Sequence, residues 1–223
     1  VTPYYQDDAV TIYHGDCQEI DAWLAADALV TDPPYGRAWK QGDTGTARGW
    51  KSDKHDGIAN DHDTTTRDAA LAMWGTRPAI VFGDLMLAPP TGTKLVGILD
   101  KGSAAGFTGA VAGIRRNVEA IYFLGRHPSG LGGRSALFAT SGLHGPNLAR
   151  STGHPHTKPL DVVTSLVANT VGVVADPFMG SGTTLRAAKD LGRQAIGVEL
   201  DERWCEFSAL RMSQEVLALG GVA

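Results

Sequence analysis

Apolar residues in this 223-residue chain gather in short runs that alternate with stretches of helical period. Val10-Thr11-Ile12-Tyr13-His14 predicts a strand that ends at Gly15-Asp16. Ile20, Trp23 and Leu24 then recur at the spacing of a short amphipathic helix. Ala28-Leu29-Val30-Thr31 predicts a buried strand, and Asp32-Pro33-Pro34 stops it because proline cannot donate to a central ladder. A helix is expected over Asp68 to Trp74, with strands over Ala79 to Phe82, Lys94 to Leu99 and Val118 to Leu124. Thr157-Lys158-Pro159 reads as a helix start, Thr157 capping and proline tolerated in the first turn. Leu160, Val163, Leu166 and Val167 make the apolar stripe of that helix. Gly172 to Ala175 predicts a strand, Thr183 to Leu191 a helix closed by Gly192, and Ala195 to Val198 a further strand. Asp201 caps a final helix expected to reach about Leu219.

Strands alternating with helices predict an α/β fold, a mostly parallel sheet covered by helices on both faces. The length suits a single domain over residues 1–223. Two stretches break the pattern. Residues 36–63 have no period and are rich in Gly, Asp, Lys and Arg, and a loop that long in a compact domain is expected to be either functional or disordered. Residues 125–153 are irregular and rich in Gly and Ser.

Composition narrows the class. No apolar run approaches the roughly 18 residues of a membrane span. Two cysteines, Cys17 and Cys205, make no disulfide framework and read as small core residues in a reducing cytoplasm, bacterial or of a virus-infected host. No metal site is expected. The net charge is −4, but it is unevenly spread. Lys101 to Pro159 holds seven Lys or Arg and one acid, Glu119, so that stretch carries +6 against −10 elsewhere. A basic face on an acidic body suits phosphate contacts.

Two strand ends carry candidate chemistry. Asp176-Pro177-Phe178-Met179-Gly180-Ser181-Gly182-Thr183-Thr184 places a carboxylate and a glycine turn ahead of a helix. Glycines admit a ligand close to the backbone, and a helix N-terminus favours a carboxylate or phosphate. The triphosphate pattern GxxxxGK[ST] is absent, and the dinucleotide pattern fails at Leu185. Glu199 ends the next strand, where a carboxylate suits a ribose diol, so any nucleoside-bearing cofactor fits. Taken alone, Asp176 also suits helix capping and Glu199 a solvated strand end.

The other end is Thr31-Asp32-Pro33-Pro34-Tyr35-Gly36. An exocyclic amino group on a base is a poor nucleophile because its lone pair is conjugated with the ring. Two acceptors holding its two N–H bonds localise that pair. Asp32 offers one, and the Pro33 carbonyl, fixed by paired prolines, offers the other. Tyr35 offers a face for stacking. A base so held must leave its duplex. In isolation the string also suits a strand-ending turn.

At these residues the chain resembles the S-adenosylmethionine-dependent amino-methyltransferases of DNA, whose catalytic motif is DPPY and whose donor motif is DPFMGSGTT. The catalytic motif comes first here, as in the circularly permuted beta class with its Rossmann-like fold. His154-Pro155-His156-Thr157-Lys158-Pro159 is similar to the family's HPTQKP element, with His156 and Thr157 in place of Thr-Gln, and Gly15-Asp16-Cys17 resembles its GDC element. The resemblance implies that Asp16 binds the donor's adenine amino group and that Asp176, Phe178, Gly180, Ser181, Gly182 and Thr183 hold its methionine part. It gives Glu199 the ribose, and Thr157 and Lys158 the carboxylate or amino end. Asp32, Pro33, Pro34 and Tyr35 would hold the target base. Asp at the head of the catalytic motif suggests adenine N6, where cytosine-N4 enzymes more often carry Ser. The expected partner is DNA, double-stranded, in a setting such as restriction–modification. Residues 36–63 are expected to form a lid, with Arg37, Lys40, Arg48 and Lys51 on phosphates, and residues 125–153 a short target-recognition segment, with Arg126 and Arg134 on DNA. A cytosine-N4 enzyme, an RNA amino-methyltransferase and a non-catalytic DNA-binding module on the same fold are the competing readings.

Overall fold

The computed structural model describes residues 1–38, 57–102, 111–128, 133–141, 153 and 156–214. Within them lie strands β1 (Tyr5–Gln6), β2 (Val10–His14), β3 (Ala28–Thr31), β4 (Ala79–Gly83), β5 (Thr93–Asp100), β6 (Val118–Leu124), β7 (Leu137–Ala139), β8 (Val174–Asp176) and β9 (Ala195–Glu199). The helices among the described residues are α1 (Thr65–Trp74), α2 (Leu160–Val167), α3 (Thr183–Asp190) and α4 (Glu202–Ser213). All the strands join one sheet in the order β1-β2-β9-β8-β3-β4-β6-β5-β7. From β2 through β9, β8 and β3 to β4 every pairing is parallel. β6 then runs antiparallel to both β4 and β5, while β7 pairs parallel with β5 and β1 antiparallel with β2.

The sheet is buried on both faces, as its near-continuous apolar strands require. On one side α2, α3 and α4 pack Val163, Leu166, Leu185, Ala188 and Met212 against Val10, Val30 and Ile80. On the other, α1 and a 3-10 turn at Ala22–Ala25 pack Trp74 and Trp23 against Leu29, Val81 and Tyr122. The two indoles stack at 5.8 Å and 11°. Cys17 and Cys205 both lie in these cores, and burial pushes each thiol up to about 12. Among the described residues no helix is long and apolar enough to cross a membrane.

The chain leaves β8 through α3 for β9 on one side of it, and leaves β3 through α1 for β4 on the other. β3 and β8 are neighbours, so their carboxyl ends flank the point where the winding reverses, the place where α/β sheets open a ligand crevice.

Several expected boundaries move. The helix expected at Ile20–Leu24 is a single 3-10 turn, because β3 begins at Ala28 and leaves room for no more. The edge strands β1 and β7 are unanticipated, the latter inside the stretch read as irregular. β8 starts at Val174, since Gly172 has φ +70°, outside strand geometry. α2 starts at Leu160 with Pro159 extended before it, and Thr157 does not cap it. α4 ends at Ser213, where Gln214 turns extended, short of Leu219. Of the expected lid, residues 39–56 lie outside the described residues, as do 129–132 and 142–152 of the expected recognition segment and His154 and Pro155 after it.

Candidate active site

The ends of β3 and β8 are joined by one hydrogen bond: Thr31 Oγ1 donates to Asp176 Oδ1 at 2.7 Å, with both side chains buried. Around this bond opens a cavity of about 750 Å³. It is lined by Asp32, Pro33, Pro34 and Tyr35 from one strand end and by Asp176 to Ser181 from the other. Asp16, Thr157, Lys158, Thr183 and Glu199 line the same cavity. Both strings singled out in the sequence thus share one space of the size that holds a small ligand.

On the β8 side, Asp176 accepts from the Phe178 amide at 3.1 Å as well as from Thr31. Burial outweighs these bonds and pushes its carboxyl up to about 7. Glu199 Oε2 accepts from the Gly180 amide at 2.9 Å and Oε1 from the Asp201 amide at 2.8 Å, which ties the glycine turn to the end of β9. Burial raises this carboxyl too. Asp16 accepts from the Gln18 amide at 2.8 Å. Thr157 Oγ1 lies 3.1 Å from Ser181 Oγ, so this residue faces the glycine turn.

Gly182 is the exception in the turn. It does not line the cavity. It stands at the N-cap of α3 with φ +73°, and a Cβ there would meet Ser208 Oγ of α4 at 2.8 Å. Its value is close packing of turn on helix. Gly182→Ala combines a left-handed φ with that overlap and is expected to cost about 2 kcal/mol, an amount typical of such strain plus overpacking. Thermal unfolding should show a drop of roughly 4–8 °C for a chain of this size.

On the β3 side, the Tyr35 hydroxyl donates to Asp32 Oδ1 at 2.8 Å and reaches Glu119 Oε2 at 3.3 Å. Burial, then the Asp32 and Glu119 carboxylates, raise the phenol well above its usual range, so Tyr35 stays a donor. Lys158 Nζ donates to Asp32 Oδ2 at 2.5 Å and stands 3.5 Å from Glu119 Oε2. The same ammonium lies 5.4 Å from the centre of the Tyr35 ring and 5.3 Å from that of Phe82. Lys158, expected among the donor residues, therefore contacts the β3 side of the cavity. Lys101 Nζ closes the group on Glu119 Oε1 at 2.8 Å. Burial alone would raise Glu119, but Lys158 and Lys101 hold it down to about 2.

Glu119, Lys101, Phe82 and Thr31 escaped the sequence reading. Glu119 is the second residue of β6 and Lys101 follows β5, and the antiparallel turn of those strands brings them to the edge where β3 and β4 end. Of the expected nucleic-acid residues, Arg37 lines the cavity and is ion-paired with Asp84. Arg126 follows the far end of β6, about 20 Å from Glu119 at a strand's rise per residue. Arg134 is exposed and donates to Asn169 beyond the end of α2. Neither lines the cavity; Arg115 and Arg116 do. Lys40, Arg48 and Lys51 lie outside the described residues.

Comparison with known proteins bears on the fold and on part of the chain. A family model described as DNA methylase of the N6/N4 type matches residues 132–210. That match spans about a third of the chain. A putative methylase of Escherichia coli strain K12, YubD, is 28% identical over 222 residues, 89% of this chain and 88% of its own. The type II methyltransferase M.ScaI of Streptomyces caespitosus is 34% identical over 83 residues, and the match spans 27% of its length. Among solved structures, the PvuII DNA methyltransferase, described as cytosine-N4-specific, superposes with TM-score 0.65 at 16% identity, covering 97% of this chain and 90% of that one. The M1.HpyAVI–SAM complex superposes with TM-score 0.61 at 20% identity, covering 91% and 99%. These likenesses give a Rossmann-like fold.

Proposed function

We propose that this chain transfers a methyl group from S-adenosylmethionine to the exocyclic N6 of an adenine flipped out of double-stranded DNA. The observation that carries the reading is the Thr31–Asp176 bond, which sets the two strand ends side by side in one cavity. The residues present suit the donor. Asp176 is a buried carboxylate that a cationic ligand would relieve, and Glu199 at the end of β9 suits a ribose diol. Phe178, Gly180, Ser181, Thr157, Thr183 and Asp16 complete that half. Once bound, the donor supplies a methyl group activated by positive sulfur.

The protein's own part is positioning and electrostatics. Asp32 and the Pro33 carbonyl accept the two N–H bonds of the base amino group, and Tyr35 with Phe82 flanks the ring. The Asp32 carboxylate offsets the positive charge that grows on the amino nitrogen. The spent proton leaves to solvent afterwards, so no covalent intermediate and no strong base are required. Arg37, Arg115 and Arg116 at the cavity supply cations for the neighbouring phosphates. A cytoplasmic enzyme, alone or beside a restriction nuclease, fits this reading.

The preference for adenine rests on Asp32 at the head of its motif. Transfer of a labelled methyl group to random-sequence DNA, with nucleoside digestion and mass analysis, tests it. The expected product is N6-methyladenosine in its deoxy form. N4-methylcytosine would move the assignment to the other branch of the family, and no product with no donor binding would leave a non-catalytic module.

A further inference from the structure

Resting on that reading, we propose that Lys158 is a positioning residue for the acceptor half of the site: its ammonium, pinned by Glu119, aims the Asp32 carboxylate at the base amino group. The chain explains how neighbours come to serve opposite halves. Pro159 is extended (φ −61°, ψ 127°), and a residue before proline is held extended as well. Successive side chains of an extended segment point to opposite sides. Thr157 accordingly meets Ser181 by the glycine turn, and Lys158 meets Asp32 across the cavity.

The local charges make the arrangement self-consistent. Asp32, Glu119, Lys158 and Lys101 are two anions and two cations within one chain of contacts. Asp32 faces Lys158 and Tyr35 directly and Glu119 through them. Asp176 lies behind Thr31, and His156 lies beside Lys158 and Glu119. A carboxylate has about four acceptor sites, and Tyr35 and Lys158 use one on each oxygen. Asp32 is a quarter exposed through the cavity, against 10% for Lys158, so acceptor capacity remains turned to an incoming amino group. Burial is the main influence on Asp32 and raises its carboxyl, Glu119 raises it further, and Lys158 opposes both. Losing Lys158 should therefore let Asp32 protonate at higher pH. Losing the charge of Glu119 should do the reverse, by leaving Lys158 to Asp32 alone.

The test uses Lys158→Met, Lys158→Arg and the isosteric Glu119→Gln. The Asp32 carboxyl is followed by ¹³C NMR titration, S-adenosylmethionine binding by calorimetry, and kcat against pH at saturating donor and DNA. In Lys158→Met the Asp32 midpoint and the acid limb of kcat should move up by at least one pH unit. Donor affinity should stay within threefold. Lys158→Arg should keep the limb within half a unit of wild type. Glu119→Gln should move the midpoint down. Shifts of opposite sign cannot come from general damage, and Glu119→Gln carries the test if Lys158→Met does not fold. An unmoved midpoint with a tenfold loss of donor affinity in Lys158→Met would return Lys158 to the donor half and overturn the inference. Wild-type protein that transfers no methyl group would remove the reading of function, while the carboxyl titration, which needs no turnover, still decides whether Lys158 governs Asp32.

Discussion

Asp32→Ala is expected to lower kcat by 10²- to 10³-fold, while S-adenosylmethionine still binds within threefold of wild type. The size follows from the cost of removing one preorganised partner of a developing charge, about 2.7–4 kcal/mol in comparable sites. The loss falls on kcat because the amino nitrogen gains positive charge only as the methyl arrives, so the Asp32 contact strengthens along the reaction. Donor binding is spared because the contacts of Asp32 run to Tyr35 and Lys158 and away from the glycine turn. Asp32→Asn keeps one acceptor and loses the charge, and its kcat should fall between those of Ala and wild type. Single-turnover methylation and calorimetry measure the two halves separately. Near-normal turnover in Asp32→Ala would remove the carboxylate from the mechanism.

Donor affinity should rise about tenfold between pH 6 and pH 8, and Asp176→Asn should abolish the rise. Burial sets the free carboxyl at about 7, so Asp176 is mostly protonated at pH 6 and ionised at pH 8. A cationic donor favours the ionised form, and the affinity follows the ionised fraction. Binding near pH 6.5 should release a proton, seen as a dependence of the measured heat on the buffer's ionisation enthalpy. At pH 8 Asp176→Asn should bind the donor about 30-fold more weakly, the value of roughly 2 kcal/mol for a hydrogen bond to a charged group. Stability runs the other way. A carboxyl raised in the folded state binds its proton more tightly there than in the unfolded chain, so its contribution declines as pH climbs from about 4 to about 7. Asp176→Asn should flatten that decline, which thermal melts across the same range can read.

The sequence revealed the two strand ends because each couples an apolar run to a polar string of unusual chemistry. The parallel core of the sheet was legible for a related reason: buried strands alternating with helices admit few other arrangements. The acceptor half was only partly legible. Asp32 and Tyr35 announce themselves within one string, whereas Glu119 is a lone acid at the start of an apolar strand. Nothing in an apolar run states its direction, and Glu119 reaches Asp32's neighbourhood only because β6 runs against β4. The signal available was charge: Glu119 is the one acid between Lys101 and Pro159. The contact of Lys158 with Asp32 was not legible because a motif gives the position of a residue and not the side to which it points. Thr157 has the chemistry of a helix cap, but Pro159 keeps the backbone extended and sends its hydroxyl to Ser181. The edge strands β1 and β7, of two and three residues, are too short to show a period.

The reversal of direction at β6 also means that the two sides of the cavity come from separate stretches of the sheet. β5 and β6 are stitched together at the rim, where the Lys101 amide donates to the Asn117 carbonyl at 2.8 Å, so the connection between them starts and finishes beside the acceptor pocket. On the proposed reading, exchanges in that connection are expected to change which DNA sequences are methylated. β8, β9 and the glycine turn lie beyond β3 and β4 from that connection, so donor affinity is expected to stay as it is.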